Sequence, residues 1–196
     1  MGGISIDQLH ANASELTGGL SDFGSDDYLE GLGVLVDAAA SSPHAGEALD
    51  RRVSVSATNA LASRLSSEAG WAARPDCLAA PLAPQVVVVG LPRSGTTALH
   101  QILGADPQFQ WIPAWMANRP RPRPPRDSWD ADPVYVERIE AYRTNGPNVL
   151  HDVAPTDPEE CLVVMQQSFV SMTWVSSQAG NSAGGSIVAS FWRMSL

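Results

Sequence analysis

Along the first 84 residues, apolar positions recur at intervals of three, four or seven, the spacing that keeps side chains on one face of a helix. Ser5 followed by Gln8 forms a capping box that opens a first helix, in which Leu9 and Leu16 lie one heptad apart. Ser25 precedes Asp26 and Asp27, acidic residues suited to a helix's first turn, and Leu29, Leu32 and Val36 form a second stripe. Leu61 and Leu65 continue the pattern in a third helix that ends near Arg74-Pro75, where proline disfavours α geometry in the residue before it. These stripes predict core-facing helices over residues 1–84, and His10 and His44 there have no supporting context for chemistry.

The pattern changes at Gln85. Val86, Val87, Val88 and Val89 read as a strand buried on both faces, because β-branched side chains fit a covered pleated surface. The strand runs into Gly90, a four-residue loop, Gly95, and a predicted helix over Thr96–Leu103 that buries Leu99, Ile102 and Leu103 and ends at Gly104. Arg119 to Arg126 alternates arginine with proline and is extended. Asp132 caps a helix with Pro133 at its first position and Val136, Ile139 and Tyr142 on one face. Asp157-Pro158-Glu159-Glu160 repeats that start, with Cys161, Leu162, Met165 and Phe169 as its apolar stripe. Residues 178–196 show no helix or strand period, and no internal repeat is present.

A strand, a glycine-bounded loop and a helix start form the layout in which backbone N–H groups converge on an anion. A nucleotide triphosphatase loop, G-x-x-x-x-G-K-[ST], places a lysine where this chain has Thr96; its cation is Arg93, inside the loop. A P-loop kinase or nucleotide triphosphatase remains an alternative class, opposed by the missing lysine. An ordinary glycine turn between strand and helix is the alternative without chemistry.

Gly90-Leu91-Pro92-Arg93-Ser94-Gly95-Thr96-Thr97 resembles the 5′-phosphosulfate loop of bacterial sulfotransferases, which use 3′-phosphoadenosine 5′-phosphosulfate (PAPS) as donor. Thr17-Gly18-Gly19-Leu20-Ser21-Asp22-Phe23-Gly24 resembles that family's "TGL-DDFG" signature; Ala105-Asp106-Pro107, Trp111 to Trp115 and Pro158-Glu159-Glu160-Cys161 follow in the family's order. The resemblance implies an α/β fold, a P-loop-type parallel sheet flanked by helices, of which only the N-terminal portion is present, preceded by a helical region. It divides the chain into a helical region (1–84), a partial sulfotransferase domain (85–177) and an irregular tail (178–196).

By the same resemblance, Gly90, Pro92, Arg93, Ser94, Gly95, Thr96 and Thr97 hold PAPS, with backbone N–H groups and both threonine hydroxyls as donors. Arg93 stabilises the moving sulfuryl group, with forked donors suited to oxyanions. His151 is the candidate base, its ordinary pKa of about 6.5 suiting proton abstraction from an alcohol. Glu160 is the second candidate, although a capping box with Asp157 also accounts for it. His100 reads as a helix-surface residue. The implied reaction transfers a sulfuryl group to a hydroxyl or amine of a small-molecule or lipid-like acceptor, without a metal. The Arg-Asp-Pro signature that binds the donor's 3′-phosphate in the family is missing from these residues. A truncated, inactive product or a non-catalytic anion-binding remnant is therefore expected.

Charge narrows the partners. All 12 basic residues are arginine and the net charge is −9, which argues against general binding to nucleic acid or anionic membranes. The four arginines of 119–126 could contact an acidic substrate, or form a solvated loop offsetting an acidic protein. Cys77 and Cys161 imply neither a disulfide framework nor a zinc site. With no apolar run near 18 residues and no secretion signal, a soluble cytoplasmic protein without a membrane span is expected.

Overall fold

A computed structural model describes residues 3–91, 94–146, 153–171 and 174, which fall into two compact units. The first takes residues up to Ala69 and those from Leu162 onward; the second is Gly70–Cys161. The tail expected over 178–196 lies outside the described residues.

In the first unit, α1 (Ile6–Leu16) opens as its capping residues dictate, the Ser5 side chain accepting the Gln8 N–H at 3.3 Å. A 3₁₀ turn over Asp26–Tyr28 leads into α2 (Leu29–Ala40), and α3 (Glu47–Ala73) stops just before Arg74-Pro75. Leu9, Leu32, Leu35, Val53, Leu61 and Leu65 form the core with Phe169 and Trp174. Of the predicted stripe, Leu32 is buried and Val36 packs on the core, while Leu29, the first residue of α2, is exposed; Leu35, outside that stripe, is buried. Gly31 permits close approach: a Cβ there would lie 2.7 Å from the Phe169 carbonyl oxygen. Phe169 in turn stacks on Trp174 with ring centroids 5.0 Å apart.

The segment resembling "TGL-DDFG" has a structural role in this unit. Buried Arg64 on α3 donates to the Phe23 carbonyl at 2.5 Å, the Ser25 carbonyl at 2.7 Å and Asp27 Oδ1 at 2.6 Å. Its guanidinium also lies 4.4 Å over the Tyr28 ring, whose hydroxyl is 2.8 Å from His10 Nε2. A buried cation is tolerated only when its donors are used, and the loop supplies carbonyls for them. His10 thus has a partner that its sequence context did not announce.

The second unit carries α4 (Asp76–Ala79), α5 (Thr96–Gly104), α6 (Ala114–Ala117), a 3₁₀ segment over Arg126–Ala131 and α7 (Pro133–Asn145). Its core joins Trp115 and Met116 to Trp129 and Tyr135, the three rings in tilted or edge contact at 5.2–5.9 Å. The Asp132 side chain caps α7 by accepting from the Val134 and Tyr135 N–H groups, as its position before Pro133 predicts. The face is displaced by one residue from the expected one: Tyr135 is buried and Val136 exposed, with Ile139 packed on the core.

The expected parallel sheet is not present among the described residues. They contain no strand ladder, only an isolated antiparallel bridge between Pro113 and Pro158. Val86, Val87 and Val89 are 61, 74 and 86% exposed rather than buried. A strand is completed by hydrogen bonds to neighbours, so a valine run without a paired segment gains neither the ladder nor the cover its side chains favour. The same lack exposes Leu99 and Ile102 on α5, which were expected to pack on that sheet. α8 (Cys161–Met165) is likewise short, with Cys161, Leu162 and Met165 exposed and only Phe169 of the predicted stripe buried.

Candidate functional site

The loop expected to cradle an anion closes on itself between Gly90 and α5. The Ser94 N–H donates to the Leu91 carbonyl at 3.1 Å. Gly95 sits at φ +90°, in the left-handed region that favours glycine, and is the residue from which α5 starts. A Cβ at Gly90 would lie 2.6 Å from Ser94 Oγ and 2.7 Å from Thr96 Cγ2, so the loop folds over this position at a distance only glycine allows. Among the described residues no side chain caps α5, whose first-turn N–H groups point out of the helix N-terminus as donors. Ser94 and Gly95 are exposed and Thr96 and Thr97 half-buried, while Pro92 and Arg93 lie outside the described residues.

Glu160 reaches this loop from a distant part of the chain. The segment 112–115 pairs with 155–159: the Ala114 N–H donates to the Asp157 carbonyl, Trp115 N–H to Pro155, and Glu159 N–H to Ile112, at 2.9–3.0 Å. Pro158 packs where a Cβ of Gly104 would otherwise stand, at 2.6 Å, and the Trp111 indole N–H donates to the Gly104 carbonyl at 2.8 Å. The C-terminal end of α5 is thereby fixed against the segment that carries Glu160. At the other end, the Thr97 hydroxyl donates to Glu160 Oε1 at 2.6 Å.

This hydrogen bond changes the donor inventory expected of the loop. The Thr97 proton is committed to a carboxylate, leaving Ser94, Thr96 and the backbone N–H groups to face an anion. Glu160 is not engaged in the capping box considered for it, since its N–H donates to Glu159 Oε1 at 3.0 Å and its carboxylate accepts from Thr97. Apart from Thr97, no hydrogen bond to the Glu160 carboxylate occurs among the described residues. His151 lies outside the described residues; His100 is half-buried on α5. Sequence spacing could not join Thr97 to Glu160, because residues 63 positions apart share no local signal for the contact.

A second feature of the same unit escaped the sequence. Trp111, Arg123, Pro124, Arg126, Trp129 and Thr156 line a cleft of about 380 Å³. The Arg123 guanidinium lies 5.4 Å over the Trp111 ring and that of Arg126 lies 4.3 Å over Trp129. Partial loss of water pulls the Arg123 pKa below its ordinary value. Among the described residues there is neither a group of acidic, cysteine and histidine side chains able to hold a metal nor a helix long and apolar enough to cross a membrane.

Comparison with known proteins gives three results. A model of the sulfotransferase family matches residues 84–185. No curated protein matches the chain. Two crystal structures do: sulfotransferase STF1 from Mycobacterium tuberculosis H37Rv, 37% identical with a TM-score of 0.76, and sulfotransferase STF9 from Mycobacterium avium, 28% identical with a TM-score of 0.72. Each likeness covers 87% of this chain, but 48% of STF1 and 45% of STF9, so the chain spans just under half the length of these relatives.

Proposed function

Since this chain belongs to the sulfotransferase family, we propose that its second unit binds the 5′-phosphosulfate end of PAPS and that Glu160 receives the acceptor's proton. The observation that carries the proposal is the Thr97–Glu160 hydrogen bond at the start of α5. It fixes a carboxylate beside a helix N-terminus whose N–H groups carry no side-chain cap among the described residues. The packing of the Ser94 and Thr96 side chains against Gly90 supports the same reading, since it holds both hydroxyl-bearing residues at the helix start.

PAPS supplies an activated sulfuryl group, which passes in line to the acceptor. The acceptor oxygen gives its proton to Glu160 as the new O–S bond forms, and the broken S–O bond leaves its electron pair on the 5′-phosphate. The first-turn N–H groups of α5 and the Ser94 and Thr96 hydroxyls would stabilise that charge, together with Arg93 by its position in the loop sequence. Thr97 acts by orientation: its hydroxyl holds one carboxylate oxygen and leaves the other to accept a proton. His151 is the competing base. An acceptor amine would be handled by the same carboxylate.

Binding is the discriminating readout, because the Arg-Asp-Pro signature is missing from the sequence. Titration calorimetry with adenosine 3′,5′-bisphosphate should show binding without metal, weakened about tenfold or more in Arg93→Ala, the loss of one charge-assisted contact. Gly90→Ala should weaken it as well, by prising open the loop. Equal affinity in wild type and both variants would remove the loop from the function. Stabilisation by ATP with magnesium, and not by the bisphosphate, would favour a nucleotide triphosphatase instead.

A further inference from the structure

The cleft beside the proline-rich segment is not part of the donor loop, and its chemistry is specific. Both indole N–H groups are committed, Trp111 to Gly104 and Trp129 to the Pro124 carbonyl at 3.1 Å, so the rings are held with fixed orientation. Each ring carries a guanidinium over its face. Among the described residues, neither Arg123 nor Arg126 has a carboxylate within ion-pair distance. Arg121, two residues before Arg123, is by contrast neutralised by Asp132. In a chain of net charge −9, two unneutralised cations facing one cleft form a local positive site. Its walls of indole and proline favour a flat apolar body, and its guanidiniums favour an anion.

We propose that this cleft binds the acidic end of the acceptor, an elongated planar molecule with a carboxylate, sulfonate or phosphate at one end and the reacting hydroxyl or amine at the other. The inference rests on the donor-loop reading above. A volume of about 380 Å³ accommodates one or two fused rings. The cleft and the loop are joined through α5: Trp111 is held at the last residue of the helix, and Thr96 is its first. Eight steps of about 1.5 Å separate Thr96 from Gly104 by roughly 12 Å. That length suits an acceptor lying along the helix, with its acid at the indoles and its nucleophile at Glu160. Thr156, four residues before Glu160, borders the same cleft and gives the path a polar wall.

The test compares 6-hydroxy-2-naphthoate with its uncharged methyl ester by calorimetry on the full 196-residue chain. The acid should bind at least about tenfold tighter than the ester, as one charge-assisted contact implies. Arg123→Gln and Arg126→Gln should each shrink that preference, and Arg123→Lys, which keeps the charge, should retain it. Unchanged circular dichroism and melting temperature would verify that the variants are folded. Saturating adenosine 3′,5′-bisphosphate should leave naphthoate binding intact. Competition between the two, with bisphosphate binding itself weakened by Arg126→Gln, would assign the cleft to the nucleotide and overturn the proposal. So would equal affinity for acid and ester, or a preference that survives the double Arg123→Gln/Arg126→Gln variant. Failure of bisphosphate binding with the naphthoate preference intact would count against the donor loop and for the anion site.

Discussion

The Thr97 hydroxyl and Glu160 Oε1 are 2.6 Å apart, a contact between residues separated by 63 positions that ties the start of α5 to the segment before α8. A hydrogen bond to a charged group contributes about 1.5–3 kcal/mol when sheltered, and partial exposure lowers this. A double-mutant cycle with Thr97→Val and Glu160→Gln, followed by urea unfolding, should give a coupling of about 1 kcal/mol. Additive effects would show that the two side chains do not support one another.

Arg64 should be the most sensitive single position of the first unit. Arg64→Met keeps the apolar stem but leaves the Phe23 and Ser25 carbonyls without their donor. A hydrogen bond to a charged donor is worth roughly 1.5–3 kcal/mol and the half-buried Phe23 and exposed Ser25 keep part of their access to water, so a loss of about 2 kcal/mol is expected in denaturant unfolding. Asp27→Asn should cost less than about 1 kcal/mol, since Asp27 is mostly exposed and its pair with Arg64 is screened by water. Equal losses would contradict the assignment of the stabilisation to the carbonyl contacts.

Acid sensitivity should trace in part to Asp132. Burial by itself would raise its pKa, but the Arg121 hydrogen bond and charge and the Val134 and Tyr135 N–H groups outweigh it and hold the carboxyl below its ordinary value. The unfolded chain then binds the proton more readily, so the stability from this group is complete above about pH 4 and is lost as pH falls through its lower folded-state value. Unfolding midpoints measured from about pH 6 to about pH 2 should decline less steeply in Asp132→Asn, which starts from lower stability. Parallel profiles would refute the linkage.

Exposed valines at Val86, Val87 and Val89 form an apolar stretch that favours contact with other chains. Light scattering should rise with protein concentration, and Val87→Lys should reduce it by placing a charge on that surface. Scattering unchanged by the substitution would locate the association elsewhere.

Local chemistry was readable from the sequence where it acts between neighbours. Ser5 and Asp132 start helices because a short polar side chain before the first turn satisfies N–H groups a few residues on. Gly95 marks the loop because its positive φ favours glycine, and Gly90 because the Ser94 and Thr96 side chains crowd the space a Cβ would take. The family was legible too, as an ordered set of such motifs. Nonlocal pairing was decided only in three dimensions. Four valines favour a strand, yet a strand needs a hydrogen-bonded neighbour, and the described residues contain none. Leu99 and Ile102 of α5 remain exposed for that reason, and the face of α7 shifts by one residue because Trp115 and Trp129 determine which ring is buried. Glu160 meets Thr97, Arg64 meets the Phe23 and Ser25 carbonyls, and two arginines settle over two indoles through contacts that tertiary packing alone creates. A residue's type limits which contacts it can make; packing selects among them, because partners distant in sequence meet only after the chain has folded.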